Sequence, residues 1–175
     1  YVVALSLENL LTPRRYSVNL APQSIEHGMD QRGVDLLILN PDRHIMLGID
    51  VKLRANKYNY NGGSWLSHLQ APFINLTLGN WQISSKDPQV KSVKDWLVNC
   101  VIPNVSTNGK IPQLDSLRSF LVPRLINSLD SQLQNSRNQE PSPFSHLPET
   151  RRQMHIYRHK LSGLIDLFTQ INRQI

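Results

Sequence analysis

Residues 33–54 read GVDLLILNPDRHIMLGIDVKLR. Two apolar runs, Gly33–Asn40 and His44–Arg54, flank Asn40-Pro41-Asp42-Arg43. Proline presets φ and aspartate bonds to nearby backbone, so these four residues form a turn signal. The pattern predicts a β-hairpin. On its second strand, alternation sends Leu47, Ile49, Val51 and Leu53 to one face and Gly48, Asp50, Lys52 and Arg54 to the other. With Pro41-Asp42 as a two-residue turn, Asn40 pairs with Arg43, Asp35 faces Gly48 and Gly33 faces Asp50. Asp35, Asp50 and Lys52 then project from one side, the carboxylates diagonal across the ladder and roughly 7–8 Å apart at the backbone. The facing glycines leave room for a cation and a phosphate.

Two neighbouring carboxylates repel each other, and at neutral pH they need a proton or a cation. Hard oxygen donors of this kind suit Mg²⁺ or Mn²⁺, which keep several waters and also bind phosphate. Lys52, two residues beyond Asp50 on the same face, is placed to assist an attacking water or a charged transition state. An acid, any residue and a lysine arise by chance about once in a chain of this length at average composition. The setting, an apolar strand behind a hairpin whose first strand carries an acid on the same face, is rarer. The plainer reading is a sheet with one solvated face, with Asp35 in an ordinary ion pair.

Working outward from the hairpin, Leu5–Leu11 has helical spacing and stops before Thr12-Pro13, and Tyr16–Leu20 alternates as a first strand. Residues 19–31 and 57–63 read as loops, and 64–70 as a helical turn capped by Ser64. Phe73–Leu78 is a further strand, with Trp81–Ile83 a candidate partner. Apolar residues recur at helical spacing from Asp87 to Ile102, with Pro88 and Pro103 as start and stop. A second helix spans 115–133, where Pro123 is expected to kink or divide it. Residues 134–148 read as a Pro/Ser-rich linker and Glu149–Ile175 as the longest helix. The expected organisation is a core over 1–110, a helical segment 111–133, the linker 134–148 and a basic helix 149–175.

The 175 residues carry a net charge of +6, with 39% apolar and 18% charged side chains, values that suit a globular domain with a polyanionic partner. Six bases and six acids balance in residues 1–54, so the basic excess lies in 55–175. No apolar run approaches bilayer length, and Tyr1–Leu5 lacks the basic flank and small-residue site of a signal peptide. The first residue is not Met, so a further N-terminal piece is expected. Cys100 is the single cysteine, which excludes an internal disulfide and a Cys-based zinc site; it reads as a small buried apolar residue. A cytoplasmic protein without membrane contact is expected.

Gly33-Val34-Asp35-Leu36-Leu37 followed by Gly48-Ile49-Asp50-Val51-Lys52 resembles the signature of the PD-(D/E)xK nucleases, the superfamily of restriction endonucleases and Holliday-junction resolvases. Val34 stands where the family's name has proline. The likeness covers about Leu5 to Ile83. It implies an α/β (α+β) fold, a restriction-endonuclease-like mixed central sheet flanked by helices, with the C-terminal helices as an extension. It also implies Mg²⁺-dependent hydrolysis of DNA phosphodiester bonds, with Asp35, Asp50 and the Val51 carbonyl as metal ligands. Glu8 is the candidate for an added ligand from the first helix, ahead of Glu26 and Asp30. Gln70 is a candidate for the glutamine that some members carry after the lysine, against a spacing that is loose. His27, His44 and His68 show no ligand spacing and read as surface or loop residues.

In the last helix Met154, Tyr157, Leu161, Leu164, Phe168, Ile171 and Ile175 form an apolar seam that is expected to pack on the domain's own core, or alternatively to join a homodimer. Arg151, Arg152, Arg158 and Lys160, with His155 and His159, gather in its first half. With Arg54 and Lys57 they are candidates for contacts to DNA phosphates. The leading expectation is a Mg²⁺-dependent endodeoxyribonuclease, with Mn²⁺ as a substitute. The alternatives are a DNA-binding module without catalysis and a subunit of a larger transposition or defence complex.

Overall fold

The structure, a computed structural model, describes residues 1–21, 33–53, 71–79, 81–83, 90–107, 109–138 and 147–175. Helix α1 (Val2–Leu11) leads into a four-stranded sheet of order β1 (Ser17–Leu20), β2 (Leu36–Leu39), β3 (Ile45–Lys52) and β4 (Phe73–Thr77). The first three strands are antiparallel to their neighbours, and β4 runs parallel to β3. A helix α2 follows, built of Val93–Trp96, a π-helical turn Leu97–Val101 and Ile102–Ser106. Two 25-residue helices, α3 (Leu114–Asn138) and α4 (Pro148–Asn172), close the chain. The protein is thus a mixed α/β fold, and among the described residues no helix is long and apolar enough to cross a membrane.

The two faces of the sheet differ. Leu36, Ile38, Leu47, Ile49, Ile74 and Leu76 turn to one side and share a single core with α1, α2, α3 and α4. The other side carries a smaller apolar group around Ala21, Val34, Leu37 and Ala71, with Phe73 against it. The α4 seam belongs to the large core: Leu161, Leu164 and Phe168 are fully buried, with most of their neighbours on α3. Met154 and Tyr157 are half-buried, and Ile175 at the end of the seam is exposed. The same core joins residues assigned above to separate segments, so 1–110 and the C-terminal helices do not pack as independent units.

The hairpin is longer at its turn than expected. Asn40 N–H donates to His44 O at 3.0 Å, Arg43 N–H to Asn40 O at 2.9 Å, and His44 N–H to Asn40 Oδ1 at 2.8 Å. Arg43 takes a left-handed φ of 62° to close it. Asn40 thus pairs with His44, one residue later than a two-residue turn allows. A bulge then separates Leu39↔Ile45 from Ile38↔Leu47 and shifts the register by one more. Two single-residue shifts restore the side-chain parity that one would have reversed. The expected pairing of Asp35 with Gly48 is thereby replaced: Leu37 stands opposite Gly48, and Leu36 opposite Ile49.

Other expectations change at their ends. Trp81–Ile83 is not a strand; Trp81 packs edge-on against Trp96 at 4.8 Å between ring centroids. Pro103 does not stop its helix. Proline lacks an N–H and its ring crowds the carbonyl four residues back, and the wider π turn just before it relieves that conflict. Pro123 lies inside α3 without dividing it, and α3 continues to Asn138, into the segment expected to be a linker. Cys100 is half-buried.

A left-handed backbone costs a residue with a Cβ roughly 1 kcal/mol that glycine does not lose. Arg43→Gly is expected to raise the melting temperature, and Arg43→Val to lower it. Equal melting temperatures for both variants in thermal denaturation would show that Arg43 is not held in this conformation.

Candidate metal and phosphate site

The site is built where β2 begins and β3 ends. Asp35 immediately precedes β2, where the strand turns irregular: its N–H donates to Ile49 O at 2.9 Å toward β3, while its C=O accepts from Ala21 N–H at 2.8 Å toward β1. Side chains on this side of the sheet form rows. Leu37, Gly48 and Phe73 are paired neighbours across three strands. One step further along, Asp50 is paired with Asn75 on β4, and Lys52 with Thr77. The regular β2–β3 pairing ends at Leu36↔Ile49. Asp50 and Lys52 lie on one face, and the Asp35 carboxyl reaches them from between β2 and β3, hydrogen-bonded to the Asp50 side chain. Gly48 is not the open seat, since Leu37 and Phe73 flank it.

Asp35 is half-buried and held by the backbone, its Oδ2 accepting the Val51 N–H at 2.6 Å. A strand residue sends its N–H and C=O to the same edge, so the Val51 carbonyl leaves β3 on the side of Asp35 as well. Asp50 is only 2% exposed. Its Oδ1 has no well-directed hydrogen bond and is met by the Lys52 Nζ at 2.8 Å, an ion-pair approach. Gly33, at φ 77°, lies against the same carboxylate: a Cβ there would sit 4.0 Å from Asp50 Oδ2.

Burial, first, raises the Asp50 pKa above its ordinary 3.8; the Lys52 ammonium lowers it, and the neighbouring Asp35 carboxyl raises it again. The net direction is upward. A buried carboxylate with a second one beside it is poorly compensated by one lysine whose side chain is 36% exposed. The donor chemistry fits a hard divalent cation: two carboxylates on adjacent backbone, one of them buried with an oxygen short of a directed donor.

The remaining candidates divide. Glu8 is exposed on α1 and does not join the two aspartates; among the described residues no three His, Cys, Asp or Glu side chains gather as a metal site. His44 is exposed in the turn. Arg158 is half-buried and donates to the Ser136 hydroxyl and carbonyl at the end of α3. Lys160 donates to Ile45 O at 3.2 Å, and burial pushes its ammonium pKa below the usual 10.5. Both cations thus fasten α4 to its own domain. Arg151 and Arg152 are exposed. Glu26, His27, Asp30, Arg54, Lys57, His68 and Gln70 lie outside the described residues. Sequence reasoning passed over Asn75, the partner of Asp50; its signal was an exposed amide between the buried Ile74 and Leu76 of a short strand.

No family model matches the chain, and no curated protein or solved structure matches it either.

Because the folded Asp50 holds its proton more tightly than the unfolded one, stability falls as pH rises from 3.8 through the raised folded value, and the loss persists at neutral pH. Asp50→Asn is expected to melt above the parent at pH 7 in chelator, with the gap narrowing as pH drops toward 3.8. A lower melting temperature for Asp50→Asn at pH 7 would contradict this account of the carboxylate.

Proposed function

We propose that the protein is a metal-dependent endodeoxyribonuclease of the PD-(D/E)xK kind, with Asp35, Asp50 and Lys52 as its reacting centre. The observation that carries the reading is the convergence of these three side chains on one sheet face, with Lys52 Nζ 2.8 Å from a carboxylate that is 2% exposed. The order α1, three antiparallel strands and a fourth strand parallel to the third supports the restriction-endonuclease-like fold that the resemblance implies.

In this reading Asp35, Asp50 and the Val51 carbonyl hold Mg²⁺, or Mn²⁺ in its place. When bound, such an ion polarises the phosphoryl oxygen and makes water a better nucleophile. The Asp35–Val51 hydrogen bond fixes the first acid relative to the strand that carries the second. Lys52 neutralises Asp50 when no cation is present. With a cation taking over that role, its ammonium turns toward the attacking water or the charge on the phosphate. In this reading Lys91 and Lys94, which line a hollow of about 570 Å³ together with Leu53, add to the positive charge offered to DNA. A cytoplasmic location goes with this reading.

A second reading, a subunit of a larger transposition or defence complex, draws on an apolar hollow of about 460 Å³ lined by Tyr1, Leu53, Ile102 and Val105. These side chains are 37–69% exposed, an unusual run of open apolar surface. A homodimer is one form such an assembly takes.

Asp50→Ala and Lys52→Ala are each expected to reduce cleavage of plasmid or branched DNA by at least about 100-fold in Mg²⁺ or Mn²⁺, with the fold retained by circular dichroism. Cleavage at the parent rate by both variants would remove the assignment. No cleavage by the parent under any of these conditions, joined to DNA binding, would favour the non-catalytic alternative.

A further inference from the structure

The parallel pairing of β4 with β3 adds a residue to the site that the acid–acid–lysine pattern does not contain. Asn75 is the ladder partner of Asp50, on the strand side opposite to Asp35. Paired residues on neighbouring strands stand about 4.8 Å apart and point their side chains to the same face. Along β4, Ile74 and Leu76 are each 2% exposed and belong to the helical core, so Asn75 faces the other way, with Asp50. It is exposed, and among the described residues no hydrogen bond engages its carboxamide. Asp50 is thus a buried carboxylate placed between a second acid and an uncommitted amide.

We propose that Asn75 supplies the third side-chain oxygen to the divalent cation held by Asp35 and Asp50. The inference rests on the metal-dependent reading above and extends it. Its chemical basis is the coordination such ions demand. Mg²⁺ and Mn²⁺ take six oxygens and accept neutral amide carbonyls alongside carboxylates. Two carboxylates and one backbone carbonyl leave much of that shell to water. Asn75 offers an oxygen from the β4 side at the exposed end of the row, and its neutrality matters. A third carboxylate next to Asp35 and the buried Asp50 would add repulsion in the cation-free protein, whereas an amide adds none. The amide N–H₂ remains free to donate to an oxygen of the bound phosphate.

The test is Mn²⁺ binding to the full chain, by calorimetry or by the loss of the free-ion spin-resonance signal, for the parent, Asn75→Ala, Asn75→Asp and Asp50→Ala. Asn75→Ala is expected to weaken Mn²⁺ binding by roughly 10-fold or more, while Asn75→Asp binds at least as tightly as the parent. A purely structural role for Asn75 would not be rescued by a carboxylate. Parent-like affinity in Asn75→Ala, or weakened affinity in Asn75→Asp, with binding lost in Asp50→Ala, overturns the role of Asn75 and leaves the two-aspartate site standing. Undiminished binding in Asp50→Ala overturns both.

Discussion

Everything at this site depends on the register between β2 and β3. The Asp35 carboxyl meets Asp50 in a hairpin that contains two separate one-residue irregularities, a turn closed by Arg43 at φ 62° and a bulge at Ile38/Leu39. Either alone would rotate the β2 side chains by half a period, sending Asp35 into the helical core and Leu36 out of it. Together they keep Leu36 and Ile38 facing Ile49 and Leu47, and the hydrophobic requirement of that face selects the same register that joins the acids. The hydrogen bond from Val51 N–H to Asp35 Oδ2 then locks the acid to the strand it must face.

The electrostatic character of the site follows from where the row lies. It borders the small apolar group on the face away from the helical core, so Asp50 is desolvated while Lys52 and Asn75 stay accessible. Burial and the Asp35 carboxyl both work against ionisation of Asp50, and the Lys52 ammonium only partly offsets them. The cost appears as lost stability of the fold once Asp50 ionises.

In the basic C-terminal helix, two of the four cations named for phosphate contact are engaged within the protein. Arg158 and Lys160 sit among arginines and histidines that suggest a phosphate-binding face. In three dimensions their donors meet the Ser136 carbonyl and the Ile45 carbonyl. Lys160 also lies near the start of β3, about five strand residues and so roughly 16 Å from Asp50.

From the chain alone, alternation in 33–54 established the hairpin and the common face of Asp50 and Lys52, because period-two patterning within one strand depends only on neighbouring residues. Helical spacing likewise established α1, α3 and α4 to within a few residues, and the seam of α4 as a core-facing stripe. Asn75 beside Asp50, the side-chain meeting of the two acids and the engagement of Arg158 and Lys160 by internal carbonyls were decided only by the folded chain. Each rests on strand register or on helix placement. Those are settled by the joint packing of residues distant along the chain, where a shift of one position changes every partner while leaving the local pattern untouched.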